Sequence, residues 1–479
     1  MRIIISAIEA VYTFLWGDLV TLQLPGGLSF GLPLLVIILI PTGIFFTVKT
    51  RVLPIRLWRE IILVTLENKK KDDSAISGVQ ALIVSTATRV GMGNLAGVVA
   101  AISAGGAGAV FWMWITAIIG SSTAFAEAVL AQQHKQKDPI YGGYRGGPAY
   151  YIHDFVVDKI YKKKKKRTII ASLFALSGLI CWFGISQVIG NSVSSAFETA
   201  FKISPIYSTT ALVIIAAFIV LRKNATVKVL DIIVPVMAGI YFFITLILII
   251  KNITVIPEVF SQIFAEAFGF RQAAAGGFGA VIMNGVKRGL FSNEAGSGSA
   301  PCAAAAADID HPVKMGLSQA FGVFIDTIVI CSCTAFIILM TPKSALGDAA
   351  GMNLMQAAMN YHLGYAGEVF IAVILWLFSF STFIGILFYA RSNIAYLFGD
   401  KMISQIIYKI IALAMLFVGG LSAYSVVWDL GDVGIGLMTI FNVMALIPMS
   451  GDVIKALKDY EQNHMKVRSK KIFRKMSME

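Results

Sequence analysis

Two stretches of the chain decide its fold. Residues 78–97 read GVQALIVSTATRVGMGNLAG, and residues 277–296 read GFGAVIMNGVKRGLFSNEAG. Aligned without a gap, they share seven of twenty residues, among them Arg89 with Arg288 and Asn94 with Asn293. An apolar composition alone does not produce identities at charged and amide residues. We therefore predict that the chain contains an internal repeat.

The composition around these stretches is that of a membrane protein. Of 479 residues, 57% are hydrophobic and only 14% are charged, and the mean hydropathy is +0.77. A spanning helix needs about 20 apolar residues. The stretches that qualify lie at about 28–48, 76–104, 107–133, 168–199, 206–221, 229–250, 276–306, 314–341, 366–397, 403–421 and 425–449. We predict an all-α polytopic membrane protein with eleven transmembrane helices, preceded by an interfacial helix within residues 1–20.

The repeat extends over most of the chain. An offset of 199 residues also superposes segment 168–199 on 366–397 and segment 206–221 on 403–421. Ten spans then form two sets of five, and because five is odd, the second set crosses the bilayer in the opposite sense. This inverted repeat is typical of secondary transporters. We expect four regions: an N-terminal part with the interfacial helix, the first span and a cytoplasmic loop, then the first repeat, the second repeat and a basic cytoplasmic tail, at 1–75, 76–250, 251–450 and 451–479.

The basic residues predict the orientation in the membrane. Lys and Arg number seven in 49–75, ten in 134–167, three in 222–228 and eight after 450, whereas the alternate loops carry almost none. Basic loops stay in the cytoplasm, so we expect the N-terminus outside and the C-terminus inside a cell membrane. Topology thus accounts for the net charge of +13, and no nucleic-acid partner is implied. The four cysteines lie in apolar stretches, and no acid, base or metal pattern indicates an enzyme.

Both first-of-five helices contain residues that disfavour a helix at matching places. These are Gly91, Gly93 and Asn94 in the first repeat, and Gly289, Ser292 and Asn293 in the second. Small residues can also serve only close helix packing. Two breaks at equivalent positions favour discontinuous helices instead, whose free amides suit a carboxylate and whose free carbonyls suit a cation.

The same residues resemble a known family. The stretches GVQALIVSTATRVGMGNLAGVVAAISAGGAGAVFWMW (78–114) and FSNEAGSGSAPCAAAAA (291–307) are similar to the signatures of the alanine/glycine:cation symporters, also called sodium:alanine symporters. That family has the leucine-transporter fold of the amino acid-polyamine-organocation superfamily, with discontinuous first and sixth core helices. The resemblance implies a secondary transporter in the lipid bilayer that imports small neutral amino acids with Na+ and needs no ATPase subunit.

The resemblance also implies a substrate site at the breaks. The substrate carboxylate is expected at the amides of Gly91 to Gly93 with help from Gln187, although a glutamine there can also serve packing alone. The amino group is expected at Ser292 and Asn293. The full set of substrate candidates is Thr88, Gly91, Met92, Gly93, Asn94, Gln187, Phe291, Ser292, Asn293 and Trp376, of which Thr88 and Asn94 fit a second ion site equally well.

For the sodium ion, the resemblance implies backbone carbonyls before the first break and hydroxyls of the eighth core helix. The expected ligands are Ala87 and Val90 with Ser381 and Thr382, and Ser379 is the next choice.

Charged residues inside the spans are a further set of functional candidates. These residues are equally divided between basic and acidic side chains, as expected for gates or structural ion pairs. A proton relay is the alternative, and it would make the protein a proton-coupled amino-acid transporter of the same fold. A channel would need a filter that the sequence does not show. The charged candidates are Arg89, Glu127, Lys287, Arg288, Glu294 and Asp326.

Overall fold

The structure is a computed structural model, and it describes residues 2–23, 29–67, 76–222, 225–268, 278–422 and 424–465. These residues are mostly helical, and two short antiparallel hairpins are the strands among them. The tail beyond residue 465, where the sequence predicts a basic cytoplasmic segment, lies outside the described residues.

The N-terminal part begins with a helix that packs against the body of the protein. Trp16 at the end of this helix is 2% exposed, and its indole contacts a residue more than 400 positions away. The expected interfacial helix is therefore partly a core element. The elements of this part are α1 (Arg2–Trp16), β1 (Asp18–Gln23), β2 (Ser29–Pro33), α2 (Leu34–Lys49), α3 (Leu53–Arg56) and α4 (Trp58–Thr65).

The region that the sequence predicts as the first repeat starts at a well-defined cap. Ser77 accepts from the amide of Gln80, whose side chain in turn accepts from the amide of Ser77, which is a capping box. The helices are α5 (Gly78–Arg89), α6 (Val98–Gly105, preceded by a π-helical turn at Gly93–Gly97), α7 (Gly108–Gln133), α8 (Pro148–Val156), α9 (Ile169–Phe201), α10 (Pro205–Val220), α11 (Ala225–Lys251) and α12 (Ile256–Ala267). The second hairpin, β3 (Gln136–Lys137) and β4 (Tyr144–Arg145), lies between α7 and α8.

The region that the sequence predicts as the second repeat, together with the segment after it, contains the other helices of the described residues. They are α13 (Phe278–Asn293), α14 (Pro301–Ala304), α15 (Pro312–Val323), α16 (Ser332–Leu339), α17 (Lys343–Leu346), α18 (Met352–Leu363), α19 (Tyr365–Phe398), α20 (Met402–Gly420), α21 (Tyr424–Leu446) and α22 (Ser450–Asp459). A π-helical segment, Phe324–Cys331, joins α15 to α16, and another, Tyr460–Met465, follows α22.

Each of the eleven predicted spans overlaps a helix, but the helices differ in length. Among the described residues, seven are long and apolar enough to cross a bilayer, and α5 with α6 makes an eighth if the bent pair is one span. Helices α2 and α10 are apolar but shorter, with 16 residues each. The protein is thus a multi-pass helical membrane protein, while the count of eleven and the inverted repeat stay predictions.

Three helices at the centre pack with their backbones in contact. A Cβ at Gly184 of α9 would lie 2.3 Å from the nitrogen of Gly431 in α21, and a Cβ at Gly419 of α20 would lie 2.2 Å from the carbonyl oxygen of Gln187 in α9. Real side chains do not fit at these distances. Glycine is therefore required wherever α9 crosses α20 and α21 in this way.

The last helix is docked on the side of the protein that the loop charges predict to be cytoplasmic. Tyr460 donates to Glu60 Oε1 of α4 at 2.7 Å. His311 Nδ1 accepts from the amide of Val313 at 3.2 Å, and its Nε2 lies 3.2 Å from Asp459 Oδ2. His311 is thereby held as the neutral tautomer that donates from Nε2. Burial lowers the pKa of His311 below its ordinary value, and the hydrogen bond to Asp459 opposes this effect.

Candidate functional site

The first broken helix leaves the helical conformation at Val90, whose ψ angle is 74°. Helix α5 and the segment from Gly93 to Gly105 then meet at an angle of 44°. Two amides in the break have side-chain acceptors: that of Gly91 donates to Asn94 Oδ1 at 2.8 Å, and that of Met92 donates to Thr382 Oγ1 at 3.2 Å. The break is therefore stabilised both from within and from α19.

The second broken helix, α13, ends later than the repeat predicts. It remains helical through Asn293, and the chain is then irregular until Pro301, with positive φ angles at Glu294, Gly296 and Gly298. The expectation of a break at Gly289 is wrong. Gly289 is needed for packing, because a Cβ there would lie 2.3 Å from Thr116 Oγ1 in α7.

The two broken helices touch each other. A Cβ at Gly93 would lie 3.3 Å from Ser292 Cα and 3.5 Å from Phe291 Cδ1. Next to this contact, the buried carboxylate of Asp326 accepts from Asn94 Nδ2 at 2.8 Å and from Ser292 Oγ at 2.9 Å. Asp326 thus connects the first break to the end of the second helix.

Asp326 lies in the π-helical segment between α15 and α16. π-helical turns occur often at functional sites because they redirect a side chain. The sequence indicated Asp326 only as a charged residue in an apolar span, and nothing in the sequence indicated its partners.

Three oxygen atoms converge beside the first break. Ser381 Oγ lies 3.3 Å and Thr382 Oγ1 lies 3.5 Å from the carbonyl oxygen of Ala87. Each hydroxyl is closer to the carbonyl oxygen of Phe378, at 2.9 and 2.8 Å respectively. A hydroxyl has one hydrogen, so when both donate to Phe378, only lone pairs face Ala87. Such a group of hard oxygens suits a small cation.

A second polar group lies between the two breaks and α19. Tyr389 donates to Glu294 Oε2 at 3.1 Å, and its hydroxyl also hydrogen-bonds Thr88 Oγ1. A Cβ at Gly385 would lie 2.3 Å from Thr88 Cγ2, so α19 approaches α5 closely here. Sequence reasoning missed Tyr389, which is one of many aromatic residues in apolar spans. Its spacing of seven or eight residues from Ser381 and Thr382, on the same helix face, is the signal that could have indicated it.

Glu127 holds the irregular segment of the second break. Its Oε1 accepts from the amide of Gly298 at 3.0 Å and its Oε2 from that of Gly296 at 3.2 Å. Asn442 of α21 donates to the same carboxylate and to the carbonyl oxygen of Gly296, the latter at 3.0 Å. The buried amides of a non-helical segment need such partners, and here α7 and α21 supply them.

Comparisons with known proteins show the family of the chain. The model of the sodium:alanine symporter family matches residues 21–475. The chain belongs to this family. It is 43% identical over 433 residues to the probable sodium/glutamine symporter GlnT of Bacillus subtilis, a match that covers 89% of this chain and 87% of GlnT. It is 41% identical over 425 residues to the amino-acid carrier protein AlsT of the same organism, covering 88% of each chain. It is 34% identical over 465 residues to the sodium/alanine symporter AgcS of Methanococcus maripaludis, covering 96% of this chain and 97% of AgcS.

Membership in the family confirms the resemblance drawn from the sequence. The symporter is a multi-pass membrane protein and not an enzyme, and sodium is its co-transported ion. Sodium-coupled amino-acid transport is therefore its general activity.

Some candidate residues of the symporter lie together, and others lie apart. The two breaks, Thr88 and the oxygens of Ala87, Ser381 and Thr382 are adjacent, as described above. Val90 is buried in the first break, and Ser379 Oγ is buried without a hydrogen-bond partner among the described residues.

Gln187 and Asn293 have partners in other parts of the symporter, and Trp376 packs along its own helix. Gln187 donates to Met415 Sδ in α20 at 3.4 Å, which fits the packing interpretation that the sequence left open. Trp376 stacks on Phe380 with ring centres 5.3 Å apart. Asn293 lines a small cavity between α2 and α7, and its Oδ1 accepts from the amide of Ala295 at 3.0 Å.

Proposed function

We propose that the protein imports small neutral amino acids, alanine and glycine, together with Na+ by alternating access around the two breaks. The observation that carries the proposal is that the broken helices meet beside three convergent oxygens. The proposal keeps the predicted orientation, with the N-terminus outside, and the division into two five-helix repeats.

The sodium ion is assigned to Ala87, Ser381 and Thr382, with the carbonyl of Val90 as a further ligand. Both hydroxyls can donate a hydrogen bond to the carbonyl oxygen of Phe378. The remaining lone pairs and the Ala87 carbonyl then repel one another unless a cation lies between them. A bound Na+ converts this repulsion into coordination without the movement of any helix.

The substrate carboxylate is assigned to the amides of the first break. In the structure the amide of Met92 donates to Thr382 Oγ1. A carboxylate that takes this hydrogen bond leaves both lone pairs of Thr382 available to the ion, and an ion on Thr382 weakens the hydrogen bond to the amide and so favours a carboxylate there. Thr382 therefore couples the two ligands, and each should increase the affinity of the other.

The amino group is assigned to the region of Ser292, where Asp326 supplies the opposite charge. Gly93 contacts Ser292 and Phe291 directly. This close approach limits the side chain of a bound amino acid and favours small substrates over large ones. The name of GlnT includes glutamine, so glutamine is the competitor to include in a test.

The experiment is uptake of radiolabelled alanine into liposomes that contain the purified protein. We expect accumulation under an inward sodium gradient, abolished by a sodium ionophore, with unlabelled alanine and glycine competing better than glutamine. No accumulation of alanine under the sodium gradient contradicts the proposal, and stronger competition by glutamine contradicts the substrate assignment.

Proton coupling is the second candidate, and the buried charges favour testing it. Glu127, Glu294 and Asp326 are three buried carboxylates in this region, with Arg89 as a buried cation among them. Excess buried negative charge requires cations or protons. One relative, YrbD of Bacillus subtilis, 40% identical over 444 residues, is described as a putative sodium/proton-dependent alanine carrier. Uptake under a proton gradient without sodium would support this alternative.

A further inference from the structure

An ion pair joins α13 to α21, five residues before the end of α13. Arg288 Nη1 and Nη2 donate to Asp432 Oδ1 and Oδ2 at 3.1 and 3.0 Å, and the guanidinium lies 4.0 Å from the ring centre of Trp428. Phe291, which touches the first break, packs on Trp428 with ring centres 5.1 Å apart. In the proposed orientation this contact lies on the outer side of the two breaks, and we refer to it as the outer gate, because separating α13 from α21 there would open the breaks to a substrate from outside.

The N-terminal helix α1 contacts both helices of this gate. Lys287 Nζ of α13 donates to Tyr12 OH at 2.8 Å. Trp16 Nε1 donates to the carbonyl oxygen of Asp432 in α21 at 3.1 Å. Trp16 also packs on Gly436, where an added Cβ would lie 3.6 Å from its Nε1. Separating α13 from α21 therefore breaks a contact of Tyr12 or of Trp16.

The contacts of α1 also stabilise a buried charge. Lys287 is 4% exposed, and its Nζ is 3.4 Å from Asp432 Oδ2, a carboxylate that already pairs with the neighbouring arginine. The half-buried Asp429 adds negative charge nearby. The rings of Tyr12 and Trp16 have their centres 5.1 and 5.9 Å from Nζ, within the range of a cation–π attraction. A buried ammonium needs such partners, and α1 supplies three of them when the gate is closed.

We propose that Tyr12 and Trp16 are positioning residues of the transport cycle, which hold the outer gate closed through Lys287 and Asp432. Helix α1 must release α13 or α21 before the gate opens outwards. This inference rests on the proposed function, since it assigns the Arg288–Asp432 contact to the gate of a transporter. It concerns a helix outside both predicted repeats.

The test measures access to the gate from outside. The four native cysteines are buried, so Val427→Cys, at a position that is 1% exposed beside Trp428, serves as the reporter. Its reaction with a membrane-impermeant thiol reagent is followed in liposomes without amino acid. We expect Tyr12→Phe and Trp16→Phe each to increase the rate about 2- to 10-fold, because each removes or weakens one hydrogen bond that holds the gate. Phe14→Leu is the matched control, since Phe14 is 58% exposed on the same helix and should leave the rate unchanged.

A second reporter distinguishes opening of the outer gate from a general loss of packing in the variant protein. Ala306→Cys, at a position that is 3% exposed beyond the second break, should react from the inner side at the parental rate or more slowly in the Tyr12→Phe background. Faster reaction at both reporters, or parental rates at Val427→Cys in both variants, overturns the inference. Alanine uptake by the parent is measured in parallel. Its absence contradicts the proposed substrate, whereas the labelling rates alone decide the role of α1.

Discussion

The contact between Gly91 and Thr382 allows a double-mutant test of the sodium site. A Cβ at Gly91 would lie 1.9 Å from Thr382 Oγ1, so Gly91→Ala must displace the hydroxyl that we assign to the ion. Thr382→Ala removes the same oxygen directly. We expect each single variant to raise the sodium concentration that gives half-maximal alanine uptake, with near-normal uptake at saturating sodium.

The magnitude follows from the groups left without partners. In the bound state the amide of Met92 is assigned to the substrate carboxylate, so Thr382→Ala takes one oxygen from the buried ion. Leaving one buried polar group unsatisfied costs about 1 to 3 kcal/mol, which corresponds to about 5- to 150-fold in the sodium requirement. Thr382→Ser keeps the oxygen and should behave almost like the parent.

The double variant Gly91→Ala/Thr382→Ala should resemble Thr382→Ala alone, because the added methyl group then has no hydroxyl to displace. The coupling between the two positions should therefore be equal in size and opposite in sign to the effect of Gly91→Ala, whereas distant substitutions add. Gly97→Ala is the matched glycine control, since the nearest contact of its Cβ would be 4.0 Å away. Additive effects of Gly91→Ala and Thr382→Ala, or a change in alanine affinity without a change in sodium dependence, would refute the site.

Three further predictions concern the breaks, the last helix and the topology. Gly93→Leu should abolish alanine binding in a scintillation proximity assay while the protein stays monodisperse, because the neighbouring helix leaves only 3.3 Å for a Cβ; retained affinity would show that this glycine serves packing only. Because burial lowers the pKa of His311 in the folded protein, its contribution to folding stability is fully present above the ordinary pKa of 6.5 and is lost as the pH falls through the lowered value. The protection of α22 against hydrogen exchange, corrected for the pH dependence of intrinsic exchange, should therefore be lower at about pH 5.5 than at about pH 7.5, and His311→Asn, which keeps an acceptor at the cap, should reduce this difference; an unchanged difference in His311→Asn contradicts the assignment. Cysteines introduced at Lys164 and Leu346 should be labelled only from the inside and only from the outside respectively, and the opposite pattern would invert the proposed orientation.

The sequence predicts the first break well because its signal is local. Gly91 and Gly93 disfavour a helix, and Asn94 offers an acceptor three residues from a free amide, so residue types alone indicate the geometry. Ser381 and Thr382 were also predicted, through the resemblance to the family, and they do lie beside Ala87.

Other predictions failed or were incomplete because they depend on contacts between distant helices. Gly289 indicates a break in the sequence, but it lies inside α13 and packs closely on Thr116 of α7. Gln187 is polar within a long apolar helix that is covered on several sides, and periodicity does not tell which neighbour it faces. The roles of Asp326 and Tyr389 are defined by partners on other helices, which no local pattern encodes.

The glycine contacts of α9 have a mechanical consequence for any conformational cycle. The helix backbones are in direct contact where Gly184 meets α21 and where Gly419 meets α9. If one helix slid along the other by a single residue, about 1.5 Å, the Cβ of a neighbouring residue would clash with a peptide group. We therefore expect these three helices to move as one body in any conformational change. Spin labels placed on their lipid-facing sides should then keep constant mutual distances with and without sodium and alanine, and a change in these distances would contradict the expectation. Even an alanine at Gly184 or Gly419 would push the helices apart, because its Cβ would lie 2.2 to 2.3 Å from a neighbouring backbone atom.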